Sequence, residues 1–169
     1  MSRIRILPTL SALILTFAIL FGGYQVYRNY DVVQPLEKQL LHIHAVEAAH
    51  IIMTGQTPTV YIRLGYVPDL QTTYLNIQND VSANIDGPVN IELKDRRNAL
   101  LLSVYQTVQP ILSQGIALGY YLNMISQIQA ACAKQHIESK VTMNTQDIFI
   151  QLRAGSAYLY DIVPYTIKR

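Results

Sequence analysis

The chain is 169 residues long, half of it hydrophobic and 14% charged, and 13 Lys+Arg against 11 Asp+Glu leave a formal net charge of +2. Arg3 and Arg5 account for that excess, so the chain beyond them is neutral and offers no electrostatic footprint for nucleic acid. The single cysteine, Cys132, excludes an internal disulfide, and its neighbours Ala130, Ala131 and Ala133 suit a small buried hydrophobe better than a nucleophile.

No Asp, Glu, Lys, Arg or His stands between Ile6 and Val26, and Leu10, Leu13, Ile14, Leu15, Phe17, Ile19, Leu20 and Phe21 form a dense apolar body. A spanning helix needs about 20 residues at about 1.5 Å each. Residues 6–27 are therefore predicted to be a transmembrane anchor, with residues 1–5 as a cytoplasmic N-terminus. Arg3 and Arg5 precede the segment, while Arg28 follows it and is soon met by Asp31. This bias holds the N-terminus inside and places the rest outside the cytoplasmic membrane, in a single pass. Tyr24, Tyr27 and Tyr30 suit the headgroup layer at the far end. A cleavable signal peptide would need a shorter apolar run and a small-x-small site, and Phe21-Gly22-Gly23-Tyr24-Gln25 supplies none.

Pro35 suits the first turn of a short helix reaching about Leu41, so residues 28–44 read as a juxtamembrane stalk. Residues 45–169 then form the extracytoplasmic domain. His44 to Met53 is ambiguous between helix and strand; a strand at 45–53 makes a hairpin with the β-branched run Thr59-Val60-Tyr61-Ile62-Arg63-Leu64. Pro68-Asp69 opens a helix whose apolar face is Leu70, Tyr74, Ile77 and Val81, stopped by Asp86-Gly87-Pro88. The alternation in Val89-Asn90-Ile91-Glu92-Leu93 is a half-buried strand, and the intervening helix makes it parallel to 59–64.

Asn98 to Ala133 is again free of charge. Gln106, Gln109, Gln114, Asn123, Gln127 and Gln129 would each be costly in hydrocarbon, which argues for a core helix rather than a second span. Its stripe is Leu101, Tyr105, Val108, Leu112, Gly115, Leu118, Leu122, Ile125 and Cys132. One straight helix of about 40 residues would be about 60 Å long, so a break or bend is expected between Pro110 and Gly119. Strands at 141–144, 148–152 and 158–163 close the chain as a meander. Thr59–Leu64 resembles Asp147–Leu152, and each follows a helix and another candidate strand. A match of this length between strand-like segments arises easily by chance.

The candidate sites are few. His42, His44, Glu47 and His50 are good metal-ligand types, but neither strand nor helix spacing converges three of them on one ion. Arg96 and Arg97 form a short basic cluster at a helix start, where cations oppose the helix dipole; a docking point for an acidic partner competes there with a solvated loop. Gly115 and Gly119 have the spacing for close helix contact or for a break. Tyrosine is abundant (12 Tyr, no Trp), and Tyr120, Tyr121, Tyr158, Tyr160 and Tyr165 offer either an exposed aromatic patch or a packed sheet face. No nucleophile elbow, phosphate loop or paired-carboxylate pattern is present, and no cofactor is implied.

The expected class is α+β: a single N-terminal transmembrane helix followed by one compact mixed-sheet domain with packed amphipathic helices. The expected role is a non-enzymatic interaction or assembly module at the membrane, with an envelope protein or a second copy as partner. The alternatives are a ligand-binding or sensory domain with an apolar pocket between helix and sheet, and a membrane-tethered hydrolase or metal-dependent enzyme.

Overall fold

The computed structural model describes residues 6–28, 33–53 and 57–165, and within the first helix the side chains at 10 and 13–23. That helix, α1, runs Ile6–Arg28 over 23 residues. Its described large side chains, Leu10 to Phe21, are 55–71% exposed. The helix expected at 6–27 is thus present. The span is not thereby shown: among the described residues, no helix is long and apolar enough to cross a membrane. Arg3, Arg5, Tyr30 and Asp31, and the side chains of Tyr24, Tyr27 and Arg28, lie outside the described residues, as does the turn at 54–56.

The first half of the domain is α2 (Gln34–Leu40), β1 (Val46–Ile52), β2 (Thr59–Leu64), α3 (Leu70–Asn84) and β3 (Asn90–Lys94). β1 and β2 form the expected antiparallel hairpin, with a bulge between Val46 and Ala48, and β3 lies parallel to β2. Asp69 caps α3, accepting from Thr72 N at 2.8 Å, and Leu70, Ile77 and Val81 turn inward. α2 is no free stalk. Leu36 and Leu40 are fully buried in the first core, because their spacing of four residues puts both on one face against the hairpin.

The second half is α4 (Ala99–Leu118), α5 (Tyr121–Ala133), β4 (Glu138–Met143), β5 (Asp147–Ala154) and β6 (Ala157–Pro164). Pro110 lies inside α4 without ending it. The break falls at Gly119, which is left-handed at φ 71°, and Tyr120 N bonds back to Gly115 O at 3.0 Å and Gly119 N to Ile116 O. These are the bonds of a Schellman cap. The break changes the phase of the apolar stripe: Met124, Ile128 and Cys132 face inward on α5, whereas Leu122 is 86% exposed; Leu118, in the last turn before the break, is already 54% exposed. Gly115 lets the two helices close. A Cβ placed on it would fall 2.5 Å from Met124 Cβ.

The domain holds two three-stranded sheets, β1-β2-β3 and β4-β5-β6, in place of one mixed sheet. Among the described residues they meet through one bridge, Arg96 to Tyr158, with Tyr158 N donating to Arg96 O at 3.1 Å. The ladder stops there for a local reason: the Asp95 carboxylate, rather than a strand carbonyl, accepts the next outward amide, Tyr160 N, at 2.7 Å. The second sheet is the wall between two cores. Phe149, Tyr158 and Tyr160 pack into the first half with Val60, Ile62 and Leu70. Ile148, Ile150, Leu152 and Leu159 face the α4–α5 hairpin with Leu101, Val108 and Met124.

Candidate functional site

The richest convergence of polar and aromatic groups lies where the β2–α3 loop, residues 65–69, lands on the second sheet. Gln151 sits among apolar residues on β5, and the landing loop uses both ends of its amide. Its Oε1 accepts from Leu70 N at 2.8 Å and its Nε2 donates to Val67 O at 3.0 Å. One strand over, the Tyr160 hydroxyl donates to Gly65 O at 3.1 Å and accepts from Val67 N at 2.9 Å. Every backbone group the loop would otherwise bury unpaired at these points is satisfied by a side chain of the sheet.

The loop roofs a half-open cleft of about 190 Å³ lined by Tyr66, Lys140, Gln151, Arg153, Tyr158 and Tyr160, among others. Arg153 lies over the Tyr66 ring at 4.4 Å, and Tyr66 meets Tyr158 edge-on at 6.5 Å. Both rim cations have acidic neighbours. Lys140 Nζ lies 2.7 Å from Asp69 and donates to Pro68 O at 3.0 Å, while Arg153 lies 3.5 Å from Glu138. The Lys140 bond, with Thr72 N, holds the Asp69 carboxyl below its usual range. Burial pushes Tyr160 up to about 12, against the opposing effect of its bond from Val67 N. Its phenol therefore stays protonated at neutral pH and serves as a fastener. The cleft is charge-compensated, and its floor atoms are committed to the loop.

A second polar group stands at the start of α4. Arg97 grips Asp95 with two bonds of 2.7 Å, and the Asp95 side chain is 1% exposed. Nearby, the Tyr105 hydroxyl donates to Asp161, and burial followed by that carboxylate raises Tyr105 to about 12. Arg97 is thus the counter-ion of a buried carboxylate, and its bond with Asp95 is what raises it further. Arg96 contributes its backbone to the bridge and leaves its side chain exposed.

The remaining candidates separate. His42 Nδ1 contacts Lys38 O at 2.7 Å, and His50 Nδ1 lies 3.4 Å from Glu37, whose Oε1 also accepts from Ile51 N at 2.9 Å. Glu47 sits at the bulge beside Gly65, and His44 is exposed. Among the described residues, no three His, Cys, Asp or Glu side chains are grouped to hold an ion. Tyr158, Tyr160 and Tyr165 do not form an exposed patch. All three are buried: Tyr158 and Tyr160 face the first core from β6, and Tyr165, just past the strand, meets the Tyr121 ring at 5.3 Å with a tilt of 58° and donates its hydroxyl to Asn144 O. Tyr120, at the turn between the helices, is exposed. Cys132 is fully buried, and burial raises its thiol.

Gln151, Lys140, Arg153, Tyr66 and Asp95 go unselected by motif reasoning. Only Gln151 carries a sign in the sequence, as the one amide in the apolar run Ile148-Phe149-Ile150-Gln151-Leu152. No known protein family, curated protein or solved structure matches this chain.

Proposed function

We propose that the protein is a membrane-tethered, non-enzymatic interaction or assembly module, anchored by α1 with its α+β domain outside the cytoplasmic membrane. The observation that carries this reading is the contrast in exposure. The domain closes its own two cores, while the described side chains of α1 display Leu, Ile and Phe at 55–71% exposure. The charge-free part of this helix, Ile6 to Tyr27, is about 33 Å long and matches the thickness of a bilayer's hydrocarbon. Tethering raises local concentration, so that modest contacts made by the domain suffice for assembly.

The test is alkaline extraction of membranes bearing the full chain, combined with protease access to tags at both ends. The expected result is retention in the membrane, with the C-terminal tag digested from the outside and the N-terminal tag protected. Release into the aqueous phase, or a C-terminal tag on the inner side, overturns the reading. A ligand-binding role is favoured by the polar cleft of about 190 Å³; the larger hollow of about 510 Å³ at Gly119–Asn123 is an open surface depression with few polar groups. That role ranks second because ligand sites usually measure about 300–1,000 Å³, and because Gln151 and Tyr160 spend their polar atoms on the loop.

A further inference from the structure

Strand edges display unpaired peptide groups, and proteins usually cover them. Two of the four edges here are covered in part, by groups of neighbouring elements. On β1 the outward amide of Ile51 is taken by the Glu37 carboxylate of α2 at 2.9 Å. On β6 the outward amides of Tyr158 and Tyr160 are taken by Arg96 O and the Asp95 carboxylate, so that one outward amide is left on each of these edges, Ala49 N on β1 and Ile162 N on β6. β3 is short and presents only Ile91 and Leu93 outward, since Asn90 N turns toward Pro58 O on the β2 side.

β4 is different. Its ladder with β5 is regular, and Asn144 N bonds Asp147 O, so Glu138, Lys140 and Thr142 bond toward β5. The peptide groups of Ser139, Val141 and Met143 therefore face away from the sheet. Among the described residues, nothing in the chain bonds to them. α5 packs over the face of β4 and leaves the edge open.

We propose that β4 is a self-pairing edge, where two copies of this chain join antiparallel about Ser139 into one six-stranded sheet. The choice of a second copy rests on charge. Glu138 and Lys140 lie on one face of β4, two residues apart, and both side chains stay substantially exposed beside their partners Arg153 and Asp69 in the same chain. A dyad through Ser139 sets Glu138 of each copy opposite Lys140 of the other, an opposite-charge cross-strand pair made twice. Ser139 then exchanges amide and carbonyl with its own copy, and Val141 N donates to Ile137 O on both sides. The ladder ends there, because Ile137 N is held within its own chain by Cys132 O at 3.1 Å. The face carrying Ser139, Val141 and Met143 stays under α5 in each copy. This names the partner within the assembly reading above but does not depend on the anchor, because the association is measured in detergent micelles.

Sedimentation equilibrium of the full chain in density-matched micelles reads it out. The wild type is expected to dimerise. Ser139→Pro, which removes an outward amide and leaves the β5 ladder intact, is expected to weaken association about tenfold or more. Glu138→Lys and Lys140→Glu each place like charges opposite and weaken it similarly, while the double swap returns it to near the wild-type value. Thermal unfolding of each variant checks the fold, and if Ser139→Pro does not fold, the three charge variants decide alone. A wild type monomeric at every concentration, with the β4 edge left to another protein or to none, overturns the proposal. So does a dimer untouched by these changes, which assigns association to α1, or a double swap as weak as the single ones.

Discussion

The central strands of the two sheets, Thr59-Val60-Tyr61-Ile62-Arg63-Leu64 and Asp147-Ile148-Phe149-Ile150-Gln151-Leu152, are alike in sequence and opposite in surroundings. β2 alternates between buried Val60, Ile62 and Leu64 and the partly or fully exposed Thr59, Tyr61 and Arg63. β5 is buried at every position from Ile148 to Leu152. The difference lies in what covers the second face. Sheet β1-β2-β3 has one core behind it, whereas sheet β4-β5-β6 has a core on each side. A half-buried strand supports its own fold; a doubly buried strand also holds its neighbours together.

Matched substitutions at the equivalent positions Phe149 and Tyr61 separate the two roles most sharply. Phe149→Ala empties a fully buried site beside Tyr74 and is expected to cost about 3–5 kcal/mol in urea unfolding. Tyr61→Ala loses a half-exposed ring under Lys94 and is expected to cost about 1–2 kcal/mol. Equal costs would mean that packing the first half of the domain onto the β4-β5-β6 sheet adds nothing. Gln151→Leu tests the seam itself. It leaves Leu70 N and Val67 O unpaired inside the protein, at an expected cost of about 2–4 kcal/mol. Hydrogen exchange should show the loss first at residues 65–70.

The second core answers to helix closeness as well. Gly115→Ala drives a methyl group into Met124 and is expected to cost about 1–3 kcal/mol by thermal unfolding. The smallest effect belongs to the rim of the cleft. Asp69→Ala removes a helix cap and the Lys140 bond for about 1 kcal/mol. Because its folded pKa is lowered, chiefly by Lys140, this contribution is complete above the ordinary aspartate value. It is lost as pH falls through the lowered one. The variant should therefore lose part of the acid limb seen in wild-type stability; an unchanged acid limb would show that the Lys140 bond adds nothing.

Local chemistry is well written in the sequence. The period-two runs, the Asp69 cap and the parallel crossover all form where patterning places them, because each depends on residues close along the chain. The partition into two sheets is not written there. It depends on Asp95 meeting the amide of Tyr160, a side-chain event without periodicity. The fate of the tyrosines is hidden for a related reason. Alternation on β6 groups Tyr158 with Tyr160 but cannot say whether their face is wet, and here both rings are buried at the edge of the cleft. The apolar stripe on the long helical stretch misplaces Leu122 because Gly119 resets the phase of everything after it. The cleft has no local pattern at all, since its loop and its floor come from opposite ends of the domain.

The seam at Gln151 and Tyr160 also sets a timetable. These residues lie 81 to 95 positions after the backbone groups they hold. A chain delivered N-terminus first, from a ribosome or through a translocation pore, presents β1, β2 and α3 well before their fasteners exist. At about 5–20 residues per second the interval is roughly 4–20 s. Throughout it the loop at 65–70 has no lock and the first core lacks Phe149 as its lid. The early half thus remains pliable enough to be threaded, and it closes only when the last strands arrive.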